Sequence, residues 1–185
     1  MSVDLVRGAN TVLPRDPGAL ALAFRWRVLG GRGPLTEPVA AAIVCGPDGR
    51  ALSPDHLVFF NELTVPPGAV RYAPEQEQER IEVDLAAVPA DVARVVFVVY
   101  VNPDPRHPGS LAALRGLSVA LLGPRGGELA RFALDQVDDP RMTALILGEL
   151  YRHDQWWKFR AVGQGFEGGI ADVTRTYGLS IRPAP

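Results

Sequence analysis

A single cysteine, Cys45, is all that this chain of 185 residues offers to thiol chemistry. One cysteine excludes an internal disulfide framework and a cysteine-based zinc site. Its setting, the apolar run AAAIVC followed by GPDG, supplies neither the neighbouring base nor the cationic surroundings that make a thiol reactive. Net charge is nearly absent as well: 19 Lys and Arg against 21 Asp and Glu leave −2, so no overall field draws the chain to nucleic acid or anionic lipid. No apolar run nears the roughly 18 residues of a membrane span, and MSVDLVRGAN lacks the basic-then-apolar build of a signal peptide. The expectation is a cytoplasmic protein with no nucleic-acid partner and no membrane span.

Signatures of catalysis are missing too. There is no Gly-x-Ser-x-Gly elbow and no Gly-x-x-x-x-Gly-Lys phosphate loop. The histidines His56, His107 and His153 lack the spacing of a zinc site and read as turn residues. Gly163, Gly165 and Gly168 reproduce a dinucleotide-binding spacing, but without the strand-to-helix crossover that gives it meaning.

Turn formers are plentiful. The 19 glycines and 17 prolines punctuate short apolar runs: ALALAFRWRVL, AAAIVC, HLVFFN, RIEVDL, RVVFVVYV, LSVALL, ELARFAL, TALILGELY and WKFRAVG. Their lengths and the turn signals between them favour strands. At this length they predict one domain over residues 1–185, mainly β, a two-sheet antiparallel β-sandwich with one or two short helices. RVVFVVYV is apolar on both faces, with Val95, Phe97 and Val99 on one side and Val96, Val98 and Tyr100 on the other. A sandwich strand buries one face, so a short helix or another chain must cover the second. GIADVTRTYG reads as a terminal helix of about two turns, and VPADVARV as one helical turn. In the aromatic stretch GELYRHDQWWKFRAVGQGFEGG, Trp157, Phe159 and Ala161 share one parity and Lys158 and Arg160 the other. Trp157 is therefore assigned to the core and Trp156, ahead of the alternation, to an exposed contact.

Four ordered motifs carry a resemblance that spans nearly the whole chain: LVRGAN near the N-terminus, Phe59–Phe60–Asn61, VDLAAVP, and the pair GELYR and WKFRAVGQG. Together they resemble the tellurium-resistance TerD family of bacterial stress proteins. The resemblance implies a non-enzymatic β-sandwich, often calcium-binding, associated with resistance to tellurite and other chemical stress. Its partners would be other proteins of a stress system or a second copy of the chain.

Calcium takes about 6–8 oxygen ligands. The resemblance places them on an Asp-Leu-Asp strand and on an acidic loop containing Gly-Asp-Asn-x-Thr-Gly. Here the first motif aligns with Glu37–Pro38–Val39, and the second is replaced by the shorter APEQEQERIEVDL. The candidate metal ligands are thus Glu37, Asn61, Glu75, Glu77 and Glu79, the three last continuing the parity of Ile81 and Val83. Two alternatives stand beside a weak calcium module: a metal-free protein-interaction module with Trp156 on its contact surface, and a hydrolase using Glu75, Glu77 and Glu79 as acid and base.

Overall fold

The computed structural model describes residues 1–29, 37–60, 62–75, 78–102 and 109–181. Within them the chain forms β1 (Val3–Leu5), β2 (Asn10–Val12), β3 (Ala19–Val28), β4 (Pro38–Cys45), β5 (Leu57–Val58), β6 (Thr64–Val65), β7 (Val70–Tyr72), β8 (Arg80–Asp84), β9 (Arg94–Val101), β10 (Leu114–Leu122), β11 (Glu128–Gln136), β12 (Ala144–His153), β13 (Trp156–Phe166) and α1 (Gly169–Thr176). One sheet runs β1-β11-β10-β3-β8-β7-β6 and the other β2-β13-β12-β9-β4-β5. The sandwich read from the sequence is therefore present. It departs from a purely antiparallel plan at one edge, where β1 lies parallel to β11.

Period-two alternation places the core. Leu20, Leu22 and Phe24 of β3, Leu117, Val119 and Leu121 of β10, and Val95, Phe97 and Val99 of β9 meet between the sheets together with Phe159 and Trp157. The opposite face of β9 is also buried. Val96, Val98 and Tyr100 join Ala41, Ile43 and Cys45 of β4 in a second layer closed by Ile170 and Val173 of α1 and by Leu179. Ile170 and Val173 lie three residues apart on one helix face, and burying each contributes about 1.5–3 kcal/mol. The cover demanded by a strand apolar on both sides is thus the terminal helix. The expected helical turn at VPADVARV is not one: Val88 N–H bonds to Asp84 and Val92 N–H to Pro89, which are isolated turns. Pro89 limits the α-conformation of the residue before it, and the next strand starts at Arg94.

Cys45 lies in the second layer, wholly buried, and burial, opposed by the nearby Arg94 charge, pushes its thiol up to about 12. A thiol so placed is inert. An aromatic disulfide reagent at pH 8 is expected to leave the folded protein unmodified and to titrate one thiol once denaturant is added. Prompt reaction in the native state would place Cys45 elsewhere.

Candidate functional site

Two of the motifs close the open edges of the sandwich. Residues 6–9 cross from β1 in one sheet to β2 in the other, with Gly8 at φ +83° making the turn. The crossing is tied to β13: Gly8 N–H donates to the Ala161 carbonyl, and Ala161 N–H to that of Ala9, both at 2.9 Å. The Arg7 guanidinium reaches Gly163, where Nε lies 2.8 Å from the position a Cβ would take, so a side chain there would displace it. LVRGAN and WKFRAVGQG, far apart in sequence, are thus one contact. At the opposite edge the chain crosses from β5 to β6 through Phe59 and Glu62, whose backbones exchange two hydrogen bonds of 2.9 Å.

The third motif holds a β-bulge. Between Ile146 and Gly148 the register of β12 slips against both β9 and β13. Leu145, Leu147 and Leu150 all enter the inter-sheet core, which a regular strand cannot achieve, because Leu147 and Leu150 have opposite parity. The slip sends Glu149 to the other face, beside Arg94 Nη1 at 3.3 Å and hydrogen-bonded to Arg160 Nη2. Gly148 permits it, because a Cβ there would lie 2.9 Å from both the Arg160 carbonyl oxygen and the Phe159 ring.

The candidate ligands are drawn to different partners. The Glu79 carboxylate accepts the Tyr72 hydroxyl at 2.6 Å and the Ala40 N–H at 3.0 Å, so it stitches one sheet to the other. It is also felt by the tyrosines: burial first, then the Glu79 hydrogen bond, raises the Tyr72 phenol, and burial followed by the Glu79 charge pushes Tyr100 up to about 12. Glu75 pairs with Arg80 at 2.9 Å. A bridge between Glu75 and Gln78 turns the chain back before β8 begins at Arg80, so the parity of Ile81 reaches Glu79 and stops short of Glu75. Glu37 is exposed, and its carbonyl accepts the Asn102 N–H. Val39 pairs with Tyr100 and packs on the second core layer. Asn61 and Glu77 lie outside the described residues, as does His107. Among the described residues no three His, Cys, Asp or Glu side chains converge as metal ligands. Those residues do not by themselves make a cage of six to eight oxygens.

Trp157 points into the core beneath Arg152, whose Cζ lies 4.5 Å from the ring centroid. Trp156 is half-buried, not free: it pairs with His153, and Arg15 covers its ring at 5.3 Å. The Glu149–Arg94–Arg160 cluster was not singled out from the sequence. The only available signal was a glutamate inside an apolar strand, GELY, where an ion has to find partners. No helix among the described residues is long and apolar enough to cross a membrane.

Known proteins resemble this chain in sequence and fold. The TerD domain model matches residues 1–177. Tellurium resistance protein TerD of Serratia marcescens is 30% identical over 97% of this chain and 99% of its own length. General stress protein 16U of Bacillus subtilis (strain 168) is 33% identical over 72% of each chain. The solved structure of a homologue of telluride resistance protein (TerD) from Streptomyces coelicolor A3(2) superposes with a TM-score of 0.68 at 17% identity, covering 89% of this chain and 99% of that one. With a domain model matched over nearly the whole chain and a relative at 30% identity along its length, the chain belongs to the TerD domain family.

Proposed function

We propose that this protein is a cytoplasmic resistance module of a bacterial stress system that acts by binding and not by turnover. The observation that carries the reading is the match to a protein named for tellurium resistance along 97% of the chain and to one named for general stress along 72% of it. The charge arrangement supports the second half. Glu79, Glu75 and Glu149 are each engaged by hydrogen-bond or ion-pair partners that hold the two sheets or neighbouring strands together, which leaves little for acid–base work. Loss of the gene from its host is expected to raise sensitivity to tellurite and to other chemically damaging agents, and the wild-type gene to restore resistance. Unchanged sensitivity to all of these would defeat the reading. So would a saturable hydrolytic activity of the purified protein that one carboxylate substitution abolishes.

Within this module calcium plays a minor part. Glu79 would have to give up the Tyr72 hydroxyl and the Ala40 N–H to serve as a full ligand, and Val39 offers no oxygen side chain. Affinity in oxygen sites follows carboxylate count and rigidity, so any site is expected no tighter than about 10⁻⁴ M. Because stabilisation scales with ligand excess over the dissociation constant, millimolar calcium should raise the melting temperature little. Calorimetry on chelator-treated protein checks this, and a micromolar isotherm that disappears in Glu79→Ala would establish a tight site.

A further inference from the structure

The crossing at residues 6–9 joins the two sheets but leaves one side of β2 open. β2 is the last strand of its sheet, with β13 as its neighbour. Leu13 N–H donates to the Trp157 carbonyl and Ala161 N–H to that of Ala9, both at 2.9 Å, and Thr11 pairs with Phe159 midway between them. In an antiparallel ladder the hydrogen-bonding groups of successive residues point to opposite sides. Ala9, Thr11 and Leu13 therefore face β13, and the N–H and C=O of Asn10 and Val12 face away from it. Leu13 turns its side chain into the core, while Asn10 and Val12 stand exposed on the outer face.

The other edge strands are protected. β1 carries Asp4, both residues of β5 are buried, and β6 runs at once into Pro66 and Pro67. Charge, cover and proline are the usual devices against strand addition. β2 has none of them. Residues 8–13 contain no ionisable side chain and no proline, and the pairing with β13 runs without a register shift. Apolar surface gathers along the same edge, where Val3 is 43%, Val6 74% and Val12 52% exposed. An uncharged, unpaired strand flanked by exposed valines is a template for a further strand.

The segment that fits this edge is β2 itself. Being uncharged it meets no like charge in its copy, the net charge of −2 opposes association little, and a twofold axis brings a strand to itself antiparallel. Charge and apolar contact then choose the register. Centred on Thr11, the pairing sets Arg7 opposite Arg15 of the second copy, like charges face to face. Centred on Asn10, it spends the exposed Val12 on Gly8. Centred on Val12, it sets Val12 against its copy and Arg15 opposite an alanine, Ala9.

We propose that the protein pairs with a second copy of itself through β2, antiparallel about a twofold axis at Val12, so that the two six-stranded sheets run on as one. The proposal rests on the fold and not on the stress-module reading. A ladder this short makes a weak, reversible dimer. Sedimentation equilibrium on the full chain, from about 10 μM to about 1 mM, should therefore show monomer and dimer in exchange. Val12→Glu places a carboxylate beside the chain's own Lys158, a cross-strand pair that suits the fold, and two carboxylates on the axis. Its near-UV circular dichroism should match the wild type while dimerisation weakens by about tenfold or more. Val12→Cys reads the register, because hydrogen-bonded residues across an antiparallel pair have Cα atoms about 5.5 Å apart, within reach of a disulfide. Mild oxidation should cross-link Val12→Cys into a dimer and leave Asn10→Cys, whose two copies lie far apart along the ladder, uncross-linked; Cys45 is buried and does not compete. A wild-type chain that stays monomeric throughout would overturn the proposal and leave the edge to an extended segment of another protein. So would a dimer that Val12→Glu leaves as tight, or cross-linking of Asn10→Cys in place of Val12→Cys.

Discussion

Replacing Trp157 with alanine is expected to destabilise the protein by about 3–5 kcal/mol, the range for removing a large aromatic from a core. For a chain of this size that lowers the melting temperature by roughly 6–20 °C. Trp157 lies in the inter-sheet core, and its ring also supports Arg152, whose guanidinium stacks on it and donates to the carbonyls of Val92, Pro89 and Val88. Removing the ring therefore takes away a core filler and the platform that holds the turn ahead of β9. Trp156→Ala is the control. Its ring is half-buried and loses chiefly the Arg15 contact, which is worth about 0.5–1 kcal/mol at an exposed site. Thermal melts of the two variants decide the matter, since equal shifts would contradict the placement of Trp157 alone in the core.

That contrast was readable in the sequence because alternation is a local property. Trp157, Phe159 and Ala161 needed only a strand to face one way, and the doubly apolar β9 announced that its second face had to be covered. The long strands were legible for the same reason. The short ones were not: β1, β2, β6 and β7 have two or three residues each, too few to show a period. They are strands because β11 lies beside β1, β13 beside β2, β8 beside β7 and β7 beside β6. The parallel pairing of β1 depends likewise on where the chain crosses between sheets at Gly8, a long-range fact.

The candidate site was legible in its residue types and less so in their grouping. Glu75 and Glu79 share parity on paper, but the turn bridged at Glu75 and Gln78 breaks the count between them. Each then takes the partner that topology brings, Arg80 for one and Tyr72 with Ala40 for the other. Glu149 was hidden by the opposite effect. Read as a regular strand, ALILGELY puts it on the side of Leu145 and Leu147, in the core between the sheets. The bulge at Gly148 moves it across the sheet, and a bulge is a tertiary compromise between Phe159, the Arg160 carbonyl and a residue without a side chain.

Glu149→Ala is the second large effect expected, about 3 kcal/mol, or a fall in melting temperature of roughly 6–12 °C. The Glu149 side chain is only 3% exposed and lies between two cations, Arg94 at 36% and Arg160 at 41%. Deleting the carboxylate leaves two guanidiniums facing one another across β12, with Arg160 also engaged with the Tyr151 ring at 5.4 Å. Removing one member of a buried ion pair costs about 3–5 kcal/mol. The lower end applies here because both arginines already reach water and can turn further toward it. Glu149→Gln keeps the shape and one acceptor oxygen, so it should cost about half as much. The charge contribution is isolated by a double-mutant cycle of Glu149→Ala with Arg160→Ala, which should return a coupling of about 1 kcal/mol or more. Added salt should reduce it little, because screening acts weakly on a buried carboxylate. Equal losses for the alanine and glutamine variants, together with a coupling near zero, would show that Glu149 fills space and that the bulge at Gly148 serves packing alone.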